Sequence, residues 1–139
     1  MDNLQLIKEA FKAQKFSYSP YSNFQVGAAL LTTDGKVYTG CNIESAAYTP
    51  TNCAERTAFF KAVSEGEYNF SKIAVVGNLK TGRKPEDDYT APCGVCRQVM
   101  MEFCDQNFEI ILAKTESDYK VFTLTEILPL GFGPKNLEN

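Results

Sequence analysis

Ile73-Ala74-Val75-Val76, Cys93-Gly94-Val95-Cys96-Arg97-Gln98 and Phe108-Glu109-Ile110-Ile111-Leu112-Ala113 are the pieces of sequence on which the fold turns. The first is short, β-branched and uncharged, the signature of a buried strand. The second opens a helix that runs to about residue 105. The third reads as a strand again. Strand, helix, strand across residues 73–113 predicts a right-handed crossover and some parallel pairing. A helix over residues 52–64, with Thr51 as its N-cap and Gly66 as its stop, extends the alternation toward the N-terminus.

Further out, Leu4, Ile7, Ala10 and Phe11 recur at helical spacing with Lys8, Glu9 and Lys12 between them. They predict an amphipathic helix over residues 3–18, stopped by Ser19-Pro20. Phe24, Val26, Ala28 and Leu30 alternate with Gln25, Gly27 and Ala29, so residues 24–31 read as a strand. Asp34-Gly35 turns the chain into a second strand over 36–41. Residues 42–50 and the polar 78–89 read as loops, 119–123 as a last strand, and 125–128 as a short helix before the 129–134 tail. The order α-β-β-α-β-α-β-β predicts one α/β domain over residues 1–139, a mixed five-stranded sheet covered by helices. Ligand sites in such sheets lie where strands end and helices begin.

Composition narrows the chemistry. Fourteen basic and 17 acidic residues give a net charge of −3, with no basic run, which argues against nucleic acid as a partner. No segment has signal-peptide character or about 18 consecutive apolar residues, so neither secretion nor membrane insertion is expected. Five cysteines, an odd number, point to a reducing compartment, the cytoplasm, with thiols kept for metal or chemistry. The chain has no histidine. That removes Ser-His-Asp and Cys-His nucleophiles, histidine-rich zinc sites and any histidine general base.

The cysteines fall at helix starts. Thr51-Asn52-Cys53-Ala54-Glu55-Arg56 places a thiol and a carboxylate in one first turn, and Ala91-Pro92-Cys93-Gly94-Val95-Cys96-Arg97 places two thiols in another. Cys93 and Cys96, three apart, emerge on one helix face, where unpaired N–H groups favour thiolates. With Cys53 they make a three-sulfur set for zinc, the open form of a catalytic site, whose water is acidified to a pKa of about 7. Glu55 is the candidate proton carrier. Arg56 is a candidate to offset the −1 charge that three thiolates leave on Zn²⁺. Cys104, eight residues past Cys96, is roughly 12 Å along the helix and out of reach. Other readings stay open here: zinc closed by Cys41, a redox pair at Cys93 and Cys96, or unrelated core cysteines.

Taken together, the motifs resemble those of the small homotetrameric zinc-dependent cytidine deaminases. The resemblance runs through Tyr18-Ser19-Pro20-Tyr21-Ser22-Asn23-Phe24-Gln25-Val26-Gly27-Ala28-Ala29-Leu30, Gly40-Cys41-Asn42-Ile43-Glu44, Cys53-Ala54-Glu55-Arg56, Pro92-Cys93-Gly94-Val95-Cys96-Arg97-Gln98, and a tail from Leu128-Pro129 through Phe132-Gly133-Pro134. It implies a three-layer α/β/α sandwich and one Zn²⁺ per subunit on Cys53, Cys93 and Cys96. Cys41 becomes structural, and Glu55 shuttles protons. Phe24 would stack on the pyrimidine, Asn42 and Glu44 would hold the ribose hydroxyls, and Ala54 belongs to the same substrate set. Ala46 and Tyr48 would close over the sugar in a neighbouring subunit's site, with Phe132 reaching another. The activity implied is hydrolytic deamination of cytidine and 2′-deoxycytidine by a zinc-activated hydroxide. The rival readings are deamination of another cytosine-bearing small molecule and a non-catalytic zinc-stabilised module. Ser45 and Ala47 depart from the family's more frequent Asn and Ser.

Overall fold

The computed structural model describes residues 1–84 and 87–138. Its frame is a five-stranded sheet in the order β2-β1-β3-β4-β5. β1 (Phe24–Thr32) pairs antiparallel with β2 (Val37–Cys41) and with β3 (Phe70–Leu79). β3 pairs parallel with β4 (Glu109–Ala113), and β4 antiparallel with β5 (Tyr119–Thr123). Helix α1 (Asn3–Gln14) covers one face; α2 (Ala54–Ser64), α3 (Gly94–Phe103) and the short α4 (Leu124–Ile127) cover the other. The sheet is mixed and the layers are three, as the sequence predicts.

Strand alternation sorts side chains between the two faces. Ala29, Leu31, Ala74, Val76 and Ile111 meet Leu6, Ile7 and Ala10 of α1. Ala28, Leu30, Ile73, Val75 and Ile110 meet Ala58, Phe59, Ala62 and Met100. Strands buried on both faces read as continuous apolar runs, which is why 73–76 and 108–113 stand out in the sequence. β1 reads as alternating only because its second face is filled by small residues. Gly27 is one of them. A side chain there would collide with the Ala10 carbonyl of α1, and at Gly40 with the Ala54 carbonyl of α2. These two glycines let both helices sit directly on the sheet.

Several boundaries differ from the sequence reading, each for a tertiary reason. α1 ends at Gln14 rather than residue 18. Beyond it, Tyr18 exchanges backbone hydrogen bonds with the 42–44 segment, giving its N–H to Asn42 and accepting from Glu44. α2 begins at Ala54 with Cys53, not Thr51, at the N-cap. Asn52 and Ile43 exchange both backbone hydrogen bonds, at 2.9 and 3.0 Å, so the chain stays extended through Asn52. Thr51 instead accepts from the Ser45 N–H at 2.9 Å. β3 is ten residues long rather than four, because β1 and β4 hydrogen-bond both its edges. It therefore takes in Asn78 and Leu79, the start of the polar loop read over 78–89; residues 85 and 86 of that loop lie outside the described residues. The Asp34-Gly35 turn and the Gly66 stop form as expected, both glycines having positive φ. The tail carries a 3₁₀ turn at Pro134–Leu137. No helix among the described residues is long and apolar enough to cross a membrane.

Candidate metal and active site

β2 and β3 end on the same edge of the sheet, where antiparallel β1 begins. The connections leaving that edge enter α2 and α3, so the N-termini of the two helices converge on it. Cys53 and Cys93 are the two N-cap residues, both with extended backbone, and Cys96 lies one turn into α3. Cys53 Sγ stands 3.7 Å from Cys93 Sγ, and Cys93 Sγ stands 3.5 Å from Cys96 Sγ. All three sulfurs lie within 4.8 Å of one another, and neither Cys41 nor Cys104 joins them among the described residues. Tetrahedral zinc with its sulfurs at about 2.3 Å holds them about 3.8 Å apart. The sulfur triangle fits that ion in size and in donor softness.

The neighbouring Cys96 thiol, helped by Arg56 and Cys93, draws the Cys53 thiol down to about 5. The same contact pushes Cys96 upward. Arg56 Nη2 donates to Cys53 Sγ at 3.3 Å, so the guanidinium already lies against the sulfur that carries negative charge most readily.

Glu55, in the first turn of α2, is 4% exposed yet lines a cavity of about 310 Å³ together with Cys53 and Cys93. Burial, reinforced by the Cys53 charge, raises its carboxyl to about 7. A group of that pKa both holds and releases a proton near neutrality. The tilt of side chains toward a helix N-terminus lets residues 53 and 55 face one cavity, although in mid-helix they would diverge.

Phe24, Asn42, Glu44 and Ala54 line the same cavity. Asn42 is deeply engaged in the fold. Its Oδ1 accepts from Val26 N at 2.9 Å and from Ser17 Oγ at 2.5 Å, and its Nδ2 donates to the Phe24 carbonyl at 2.8 Å. One N–H is left for a ligand. Glu44 is held by the N–H groups of Tyr21 and Ser22 at 3.0 and 3.1 Å and by the Ser22 hydroxyl at 2.5 Å. The Ser22 hydroxyl and those N–H groups keep its carboxyl below the usual carboxylate value. Ala46, Tyr48 and Phe132 do not reach this cavity. Tyr48, at positive φ, and Phe132 point largely into solvent, 78% and 59% exposed. The sequence reading gave no role to Thr90 and Ala91, which form part of the cavity wall. Their position just ahead of Pro92-Cys93 was the available signal.

A crossover α/β sheet with three thiols and a buried carboxyl at converging helix starts is the architecture of a zinc-dependent hydrolytic deaminase. The family model described as cytidine and deoxycytidylate deaminase zinc-binding region matches residues 1–112, and the chain belongs to that family. It is 47% identical over 137 residues to the cytidine deaminase of Sporosarcina psychrophila, covering 99% of this chain and 96% of the relative. The cytidine deaminase of Halalkalibacterium halodurans is 48% identical over 139 residues, covering the whole of both chains. Among solved structures, the cytidine deaminase of Burkholderia pseudomallei superposes with a TM-score of 0.84 at 46% identity, covering 95% of this chain and all of the other.

Proposed function

We propose that the protein hydrolyses cytidine and 2′-deoxycytidine to uridine and 2′-deoxyuridine, releasing ammonia. The observation that carries the reading is the three-sulfur cluster and the buried Glu55 carboxyl opening onto one cavity. Cys53, Cys93 and Cys96 hold one Zn²⁺. Zinc bound there supplies a water acidic enough to act as nucleophile at neutral pH. Glu55 gives its proton to ring N3, which makes C4 electrophilic. Its carboxylate then takes both protons of the attacking water in turn, delivering one to the departing amine and keeping the other, which restores the acid as the C4 carbonyl forms. Burial supports this double duty by keeping the carboxyl poised near 7.

Phe24 offers a ring face to the base. Asn42 gives its one free N–H, and Glu44 gives carboxylate lone pairs, so the two form a donor–acceptor pair suited to sugar hydroxyls. Ala54 closes the cavity floor beside Cys53. The exposed Tyr48, with Ala46, and the exposed Phe132 act in neighbouring subunits' sites of a homotetramer. The exposure of such large apolar side chains supports that assembly. The reaction is placed in the cytoplasm, where thiols stay reduced. The test is the loss of cytidine absorbance with ammonia counted in the same sample and zinc measured per chain. The reading requires turnover with one zinc per chain; zinc without ammonia release would overturn it.

Arg56 tunes the cluster. Its contact with Cys53 offsets one thiolate charge, and removal of such a supporting contact typically costs ten- to a hundredfold in metal affinity or activity. Arg56→Gln is expected to surrender zinc to a competing chelator about tenfold more readily or to lower kcat by a similar factor. Unchanged zinc retention and unchanged kcat would make Arg56 an ordinary helix residue.

A further inference from the structure

Most of the cavity wall belongs to β1, to the 42–44 segment or to the start of α2, all fixed by backbone hydrogen bonds. Thr90 and Ala91 differ. Among the described residues, no backbone–backbone hydrogen bond holds any of residues 89–92. Phe24, Thr90 and Ala91 also line a second cavity, of about 470 Å³, so the Thr90–Ala91 segment is a partition between two hollows. Side chains alone fasten this partition. On its C-terminal side Arg97 Nε donates to the Pro92 carbonyl at 2.8 Å. In the middle, Thr90 occupies the space that a Gly77 side chain would fill and donates to the Gly77 carbonyl at 3.2 Å.

The N-terminal fastening is Tyr89. Its ring packs against the main core, and its hydroxyl donates to Asp118 Oδ1 at 2.5 Å. Lys114 Nζ and Lys120 Nζ lie 4.6 and 5.0 Å from the centre of the same ring, within the range where a cation is drawn to an aromatic face. The anchoring end is the tight turn between β4 and β5, closed by the Lys114 N–H donating to the Asp118 carbonyl at 2.9 Å. A phenol, one carboxylate and two ammonium groups therefore tie a partition without backbone–backbone hydrogen bonds to the β4–β5 hairpin.

We propose that Tyr89 is a positioning residue for substrate, setting the wall of the nucleoside cavity through its bond to Asp118. This rests on the deaminase reading. The unpaired backbone groups of Thr90 and Ala91 are then available to the base, and a small displacement of the partition weakens binding while leaving the sulfur cluster and Glu55 in place. The chemical step is spared, so the effect falls on KM rather than kcat.

The test uses the zinc-loaded enzyme and its Tyr89→Phe, Asp118→Ala and double variants. Tyr89→Phe keeps the ring in the core, and Asp118→Ala removes the acceptor from an exposed turn, so both preserve the fold. Each single variant is expected to raise KM for cytidine about five- to tenfold, the scale of losing one solvent-exposed hydrogen bond, with kcat within about twofold. Zinc stays at one per chain. The double variant is expected to be no worse than either single one, because both remove the same bond. KM values within twofold of wild type, additive losses in the double variant, or a parallel fall in kcat and zinc would each overturn the proposal. A wild type that releases no ammonia would instead refute the deaminase reading. The clamp is then judged by the Kd of cytidine for wild type and Tyr89→Phe, where the same ratio is expected and equal values would overturn it.

Discussion

Glu55→Gln is expected to abolish cytidine turnover while leaving the zinc content and the fold intact. The glutamine is nearly isosteric and fills the same buried space, but it carries no proton that can be passed on. Proton transfer by a positioned group contributes about 10²–10⁴ in rate; Glu55 is asked to do it more than once per cycle, so a loss at or beyond about 10⁴ is expected. The measurement is kcat on samples of matched zinc content. Residual activity above about 1% of wild type would move the proton-carrying role to another group.

The same variant makes a second, opposite-signed prediction for the metal-free protein. The Glu55 carboxyl is raised from 4.5 to about 7 by burial. Below pH 4.5 it is protonated in both folded and unfolded chains and contributes nothing pH-dependent. Between pH 4.5 and 7 the unfolded chain ionises first, so wild-type stability falls as pH rises. At about 1.4 kcal/mol per unit, the cost reaches up to about 3 kcal/mol above pH 7. Metal-free Glu55→Gln is therefore expected to melt above wild type at pH 8 and to lose that advantage at pH 4.5. Equal melting temperatures at pH 8 would mean that the carboxylate is better solvated than its burial implies.

Cys96→Ser carries the other large effect. Cys96 is fully buried, and serine fits its space, but the hydroxyl is a hard, weakly acidic donor that replaces a soft thiolate. Loss of one of three sulfurs is expected to leave less than about a tenth of the zinc after dialysis against chelator and to lower kcat/KM at least about a thousandfold. The ion bridges the starts of α2 and α3, so its loss also lowers the melting temperature. Cys104→Ser is the control. Cys104 lies outside the cluster, its thiol raised by burial, and the variant should keep both zinc and activity. Full zinc retention by Cys96→Ser would refute the three-sulfur site.

Much of this was legible before any coordinates. The apolar run at 73–76 announced a buried strand and 108–113 another strand, and the helix between them announced a crossover. Zero histidines and the C-A-E and P-C-x-x-C spacings led to a thiolate metal site with a carboxylate beside it, and the cluster forms where those motifs place it. Local rules failed where distant segments compete for the same backbone. Thr51 has the chemistry of a helix cap, yet it caps nothing, because Ile43 keeps residue 52 extended. The helix read through residue 18 stops at Gln14, and Tyr18 pairs with the 42–44 segment instead.

The sequence by itself determined that Cys53, Glu55, Cys93 and Cys96 fall at helix starts, because side-chain type and periodicity are local properties of the chain. Only the tertiary structure decided that Cys41 stays out of the cluster, that Asn42 keeps a single N–H to offer, and that Tyr89 reaches Asp118 from 29 residues away. Those outcomes depend on which strand ends share an edge and which polar groups are already occupied. Both are consequences of packing the whole chain, and no local spacing encodes them.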